Sequence, residues 1–175
     1  LVQPKLSVTK NLTVTIDARK TKAADITVPD DKAEQQLGAV GYTYDTVGIG
    51  VSFGLKSFAD VRMAPLGGEV SGLHQTWNGQ WTKGDDTEYD VATTAKVKKV
   101  QGDKVRHFKA SELAAVKNNL GSGASGKTGA LLPLGLFPGD AVFSGGIEQK
   151  LPGARTLYLS TSDKIQWTWD FEQYK

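Results

Sequence analysis

The sequence predicts a mostly β protein, an antiparallel β-sandwich with at most one short helix. Three observations predict it. Apolar residues alternate with small or polar ones over several short runs, the period of a strand with one buried face. The 20 glycines and six prolines fall between these runs rather than in one tract, which suits a fold with many turns. Only one stretch has helical character, so repeating β-α units are disfavoured against a sandwich.

The first run is Leu12, Val14 and Ile16, alternating with Thr13, Thr15 and Asp17, which predicts a half-buried strand. Ile26 and Val28 repeat the pattern before Pro29. Val40, Tyr42 and Tyr44 precede a Val47-Gly48 break, after which Ile49, Val51, Phe53 and Leu55 continue the alternation, predicting a hairpin. Gly50, Ser52 and Gly54 leave the opposite face of its second strand flat, open to close approach by another strand, a loop or a partner, and close packing inside the protein is the use expected of it.

Further strands are predicted at 88–91, 96–100, 104–108, 141–144, 156–159 and 164–172. In the last, Ile165, Trp167, Trp169 and Phe171 share one face and are expected to form a wall of the core. The helical stretch is Ser111–Lys117, with Ser111 as cap and Gly121 as stop. The acidic turn Pro29-Asp30-Asp31-Lys32 is the best candidate boundary. Residues 1–30 then carry the first strands, read as the tail of a preceding β module, and residues 31–175 form the main sandwich domain. The start at Leu1 without an initiator Met, and the stop at Tyr174-Lys175 straight after a strand pattern, read as cuts within a longer polypeptide.

Composition excludes several classes of function. With 21 Lys+Arg against 19 Asp+Glu the formal charge is +2, far from the basic excess that binding a phosphate backbone requires, so no nucleic-acid partner is expected. No run approaches the ~18 to 20 apolar residues of a membrane-spanning helix, and no membrane partner is expected. Without cysteine there is no disulfide, thiolate nucleophile or zinc ribbon, and with two histidines no three-His site can form. No metal or cofactor is expected.

Four patterns carry possible chemistry. Gly121-Ser122-Gly123-Ala124-Ser125-Gly126-Lys127-Thr128 spells a P-loop, but that motif needs a buried strand before it and a helix behind it to cradle phosphates. Pro133, Gly135, Pro138 and Gly139 forbid the helix, so a Gly/Ser turn is expected. In Trp77-Asn78-Gly79-Gln80-Trp81 the Asn-Gly pair signals a hairpin turn. Exposed there, Trp77 and Trp81 with Asn78 would make a sugar-stacking platform; the simpler expectation is that at least one ring packs into the core.

Lys96, Lys98, Lys99, Lys104, Arg106 and Lys109 gather positive charge around His107 and are expected on a solvated sheet face, with Phe108 the only stacking ring nearby. His74 and His107 lack a neighbouring catalytic signature. Asp85, Asp86, Glu88 and Asp90 cluster about a turn without the spacing of a calcium loop.

The run Gln3–Asn11, continuing through Thr13–Arg19 to Asp25–Pro29, resembles the long C-terminal extensions of secreted subtilisin-like serine peptidases from actinobacteria. Val40–Thr46, Trp77–Gly84, Leu151–Leu157 and Asp170–Gln173 fit the same region, so the resemblance spans most of the chain. It implies a secreted, extracellular parent whose peptidase domain comes first and whose β-rich accessory modules follow. Catalysis is not carried over. The family's Asp-Thr-Gly, His-Gly-Thr and Gly-Thr-Ser contexts are absent: Asp45-Thr46 is followed by Val47 and His74 by Gln75.

The expected function is therefore a non-catalytic accessory or interaction module of such a peptidase, not an enzyme in its own right. The resemblance implies the parent's catalytic domain and neighbouring β modules as partners, with polymeric substrate or the cell envelope as further ones. Two alternatives stand beside it: a carbohydrate- or polymer-binding module using Trp77 and Trp81, and a released protease-inhibitory or processing fragment.

Overall fold

The computed structural model describes residues Leu1–Tyr174; Lys175, the last residue of the expected main domain, lies outside the described residues. The described residues form fourteen strands: β1 (Lys22–Ala23), β2 (Asp25–Thr27), β3 (Glu34–Tyr44), β4 (Ile49–Leu55), β5 (Arg62–Met63), β6 (Leu73–Lys83), β7 (Thr87–Val97), β8 (Val105–His107), β9 (Leu113–Leu120), β10 (Thr128–Phe137), β11 (Asp140–Phe143), β12 (Gln149–Lys150), β13 (Gly153–Ser160) and β14 (Gln166–Tyr174). Among the described residues the only helical pieces are 3-10 turns at Ala18–Lys20 and Ala110–Glu112. The mostly β, sandwich-like fold follows the alternation in the sequence.

A six-stranded sheet, in the order β4-β3-β6-β7-β13-β9, is the backbone of the molecule, and a four-stranded sheet holds β10, β11, β12 and β14. Pairing is antiparallel except for β7 with β13 and β2 with β8, which run parallel. One face of the large sheet carries Val40, Trp77, Val91 and Tyr89. The N-terminal and crossing segments cover it through Val2, Ile26, Phe58, Met63, Val100 and Phe108, completing the main core. The other face meets the second sheet, where Ala92 packs with Phe137 and Val142, and Leu157 and Leu159 pack with Leu131. β6 is thus buried on both faces, which explains why its polar residues are sequestered as well.

Several expectations are corrected. Residues 22–28 pair with β5 and β8 and enter the main core, so the acidic turn at 29–32 lies within one packed unit rather than between two. Lys83 holds that turn to β6 through Asp30 at 2.6 Å. Of the stretch expected as a helix at 111–117, Ser111 and Glu112 close the short 3-10 turn and Leu113–Lys117 lie in strand β9, paired with β13 from Leu113↔Ser160 to Leu120↔Gly153. Long-range pairing overrides local helix propensity there, because Val116 gains an apolar seat against Leu157 and its neighbours.

The Asn78-Gly79 pair makes no turn: it sits in mid-β6, flanked by β3 and β7. A side chain at Gly79 would come within 2.5 Å of the Trp81 ring and 2.8 Å of Phe58. The glycine therefore serves ring packing rather than a reversal. The hairpin prediction at 40–55 holds, with Tyr44 opposite Ile49 and Gly48 in the left-handed region at φ 63°.

Candidate interaction surface

β4 is the end of the large sheet, paired to β3 on one side. Its residues Ile49, Phe53 and Leu55 are exposed, Phe53 at 53%. Val51, Phe53 and Leu55 project on the side of Tyr42, while Gly50, Ser52 and Gly54 leave the reverse side nearly bare. Beside the strand opens an apolar groove of about 590 Å³, lined by Leu1, Val2, Tyr42, Phe53, Val61 and Met63 among others. An edge strand offers a row of free N–H and C=O groups, and proteins usually guard it with charge or proline. Within β4 itself no residue is charged; Lys56 follows the strand, and Asp60 and Arg62 line the groove beside it.

A second feature lies nearby in the chain. The predicted strand at 12–16 is not paired: residues 5–17 form no strand, and Leu12, Val14 and Ile16 are exposed, Ile16 at 70%. Both ends of this loop are fastened to the same segment. Val2 donates its N–H to Ala64 O at 3.1 Å and accepts from Leu66 N at 2.8 Å. Beyond the loop, Lys22 pairs with Met63 in β1–β5, and Arg62 Nη2 donates to Thr21 O at 2.9 Å. Asp17 accepts from the Arg19 backbone and pairs with its guanidinium at 2.8 Å, closing the loop on a 3-10 turn. The result is a stapled loop displaying a strand-like apolar alternation to solvent.

The residues predicted for ligand binding are placed elsewhere. Trp77 (0% exposed), Asn78 and Trp81 are buried in β6. Asn78 Nδ2 donates to Phe143 O at 2.8 Å, joining the two sheets, and Trp81 lies 6.1 Å from the Phe58 ring. Neither indole offers a face for stacking a sugar, because mid-strand residues of a sheet covered on both sides have no solvent side. The simpler expectation, ring burial in the core, is the one the structure displays.

The densest polar cluster also lies between the sheets. Arg155 Nη1 contacts Glu88 Oε2 at 2.8 Å and donates to Ile147 O at 2.8 Å. Gln80 Nε2 donates to Glu88 Oε1 and to Gly145 O, each at 2.8 Å. Asp90, fully buried, has no hydrogen-bond partner for either carboxylate oxygen. Burial, then the neighbouring Glu88 charge, pushes Asp90 well above the ordinary carboxyl value, and burial raises Glu88 despite Arg155. The sequence pattern placed Glu88 and Asp90 near a turn. Their period-two spacing with Ala92 was the overlooked sign that they share one buried strand face.

The other chemical motifs are spent locally. The Gly/Ser stretch 121–127 is an exposed turn that enters strand β10 rather than a helix, so it has no phosphate-cradling geometry. The basic span does not form one solvated face. Lys104 Nζ sits 5.0 Å from the Trp77 ring centre, and Arg106 lies over Phe108 and pairs with Glu112 at 2.6 Å. Two of these cations thus lie against aromatic rings of the core. His107 meets Asp25 at 2.9 Å, and His74 lies between Asp45 at 3.0 Å and Asp140 at 3.4 Å. Asp85 and Asp86 border an open cleft of about 350 Å³ with Glu148.

Of the expected aromatic wall on β14, Trp167 packs inward and donates its Nε1 to Ser160 O at 2.8 Å. Trp169 and Phe171 are exposed, because β14 pairs only with β10 and lies at the margin of its sheet. No helix among the described residues is long and apolar enough to cross a membrane. No group of three or more His, Asp or Glu side chains among them could hold a metal ion. No family model, curated protein or solved structure matches the chain.

Proposed function

We propose that the chain is a non-catalytic interaction module of a secreted subtilisin-like serine peptidase, acting through the β4 edge and its apolar groove. The resemblance of its sequence phrases to such C-terminal extensions motivates the parent. The observation that carries the mode of action is the exposed edge: Ile49, Phe53 and Leu55 lie open beside unpaired backbone. Strand addition at such an edge takes affinity from main-chain hydrogen bonds and selectivity from pockets for alternate side chains. The densest cluster of titratable groups, Glu88, Asp90 and Arg155, is buried between the sheets, which supports a role in packing rather than in catalysis.

Two measurements test the reading. Peptide mapping of the producing organism's secreted proteins should find sequence continuous across Leu1, leading back to Asp-Thr-Gly, His-Gly-Thr and Gly-Thr-Ser segments. The purified chain should leave casein intact. Hydrolysis abolished by a serine-directed inhibitor would overturn the non-catalytic assignment.

A further inference from the structure

We infer that the exposed loop strand Asn11–Asp17 of one copy adds to the β4 edge of a second copy, giving a reciprocal, two-fold dimer. This deepens the proposed use of the β4 edge by naming its occupant, and it rests on that reading. Both halves of the contact are present in one chain. The edge lacks a strand, and the loop displays a strand that lacks a sheet.

The shapes match residue by residue. Leu12, Val14 and Ile16 on the donor need an apolar side; Val51, Phe53 and Leu55, with the groove beneath them, supply it. Thr13 and Thr15 then fall on the side of Gly50, Ser52 and Gly54, where the reverse face is nearly bare. Shifting the register by one residue would place the apolar set over that bare side, so the pairing is specified.

Charge selects the direction. With Val14 beside Phe53, a parallel arrangement puts Asn11–Asp17 along Gly50–Lys56 and sets Asp17 beside Lys56. The antiparallel arrangement with the same centre instead brings Lys10 toward Lys56, a like-charge approach. Asp17 already pairs with Arg19, so Lys56 would join an existing carboxylate–guanidinium pair at the end of the donor. A donor-to-edge contact joins two different patches, so it closes as the reciprocal two-fold exchange only when the second donor reaches the second edge, and the sedimenting mass separates this from open-ended growth.

The full 175-residue chain tests this directly. Sedimentation velocity should give twice the 18.8 kDa chain mass, and V14K or F53K should each return the monomer. Mixing V14K with F53K should restore a heterodimer, since one copy keeps an intact edge and the other an intact donor. The chain has no cysteine of its own, so a mixture of V14C and F53C should oxidise to a crosslinked dimer. I16C should crosslink with L55C in preference to V51C if the strands run parallel.

A wild-type chain that stays monomeric at high concentration would sink the exchange, as would a dimer unaffected by both lysine variants. Circular dichroism of V14K and F53K separates loss of dimer from loss of fold. Capture of a different β module by a monomeric chain, blocked by F53K, would overturn the second-copy assignment while leaving the edge as an interaction site.

Discussion

Arg155 and Glu88 form an ion pair at 2.8 Å with both side chains almost wholly removed from water. Arg155 comes from β13 and Glu88 from the neighbouring parallel strand β7, while the remaining Arg155 contacts reach Ile147 O and Asp85 O. The pair therefore fastens the large sheet both to the loop preceding β12 and to the β6–β7 turn. Gln80 extends the fastening to Gly145. What the sequence offers as acidic residues near a turn is, in three dimensions, the polar seam between two sheets.

Removing one partner of such a pair leaves a buried charge without compensation, which costs about 3–5 kcal/mol. Arg155→Met should therefore lower the urea midpoint strongly, with Glu88→Gln milder because the amide still accepts and donates. Joint replacement of Arg155 by Met and Glu88 by Leu should recover much of the loss. A single Arg155→Met variant as stable as the parent chain would show that the seam contributes nothing.

Asp90 makes stability depend on pH in an identifiable direction. Its folded-state value is raised by burial and by Glu88, so the native chain retains a proton that the unfolded chain releases above the ordinary carboxyl value of about 3.9. That contribution is fully present below the unfolded value and is lost as pH rises through the folded one. Asp90→Asn removes the titration. The variant should match the wild type near pH 4 and be the more stable of the two at pH 8, the gap widening by up to about 1.4 kcal/mol per pH unit between the unfolded and the raised folded values. Paired urea titrations at the two pH values check the sign.

Period-two alternation located many of the strands; in the hairpin it matched β4 to the residue but caught only the Val40–Tyr44 end of β3, which begins at Glu34. It failed in two physically distinct ways. In β6 the sign of a turn, Asn78-Gly79, is outweighed by strand partners on both sides, and in β10 the Pro133 and Gly135 that forbid a helix sit in a strand that is likewise paired on both sides. Propensity describes an isolated chain, and a two-sided neighbourhood overrules it. For Leu12–Ile16 the alternation was real but no sheet received it, because alternation reports the capacity to be half-buried and not the presence of a partner. The interaction surface was legible in the same partial sense. Gly50, Ser52 and Gly54 announced a flat face, but only the strand order revealed that β4 is an edge.

Gly79 tests how tightly the β6 region is packed. A methyl group there would press on the Trp81 ring and on Phe58, each within 3 Å of the new carbon. Overpacking of this kind costs about 1–3 kcal/mol. Gly79→Ala should lower the denaturant midpoint accordingly and shift the indole emission as Trp81 moves. A larger loss would mean that the backbone of β6 cannot shift at all, and no loss would mean that Trp81 has a second resting place.

The fate of Trp77 separates a core role from a binding role. Its ring is fully buried between the large sheet and the N-terminal segments, with Lys104 set over it. Trp77→Ala removes a large core side chain, which costs about 3–5 kcal/mol, whereas Trp77→Phe should cost less and keep the fold. If burial is the whole of its role, the Phe variant and the wild type should be retained equally on insoluble polysaccharide, and soluble glycans should leave the emission of Trp77 and Trp81 unchanged. Selective loss of retention in a folded Trp77→Phe chain would require the indole to reach a ligand, and therefore an opening of the core that the present arrangement of β6 does not contain.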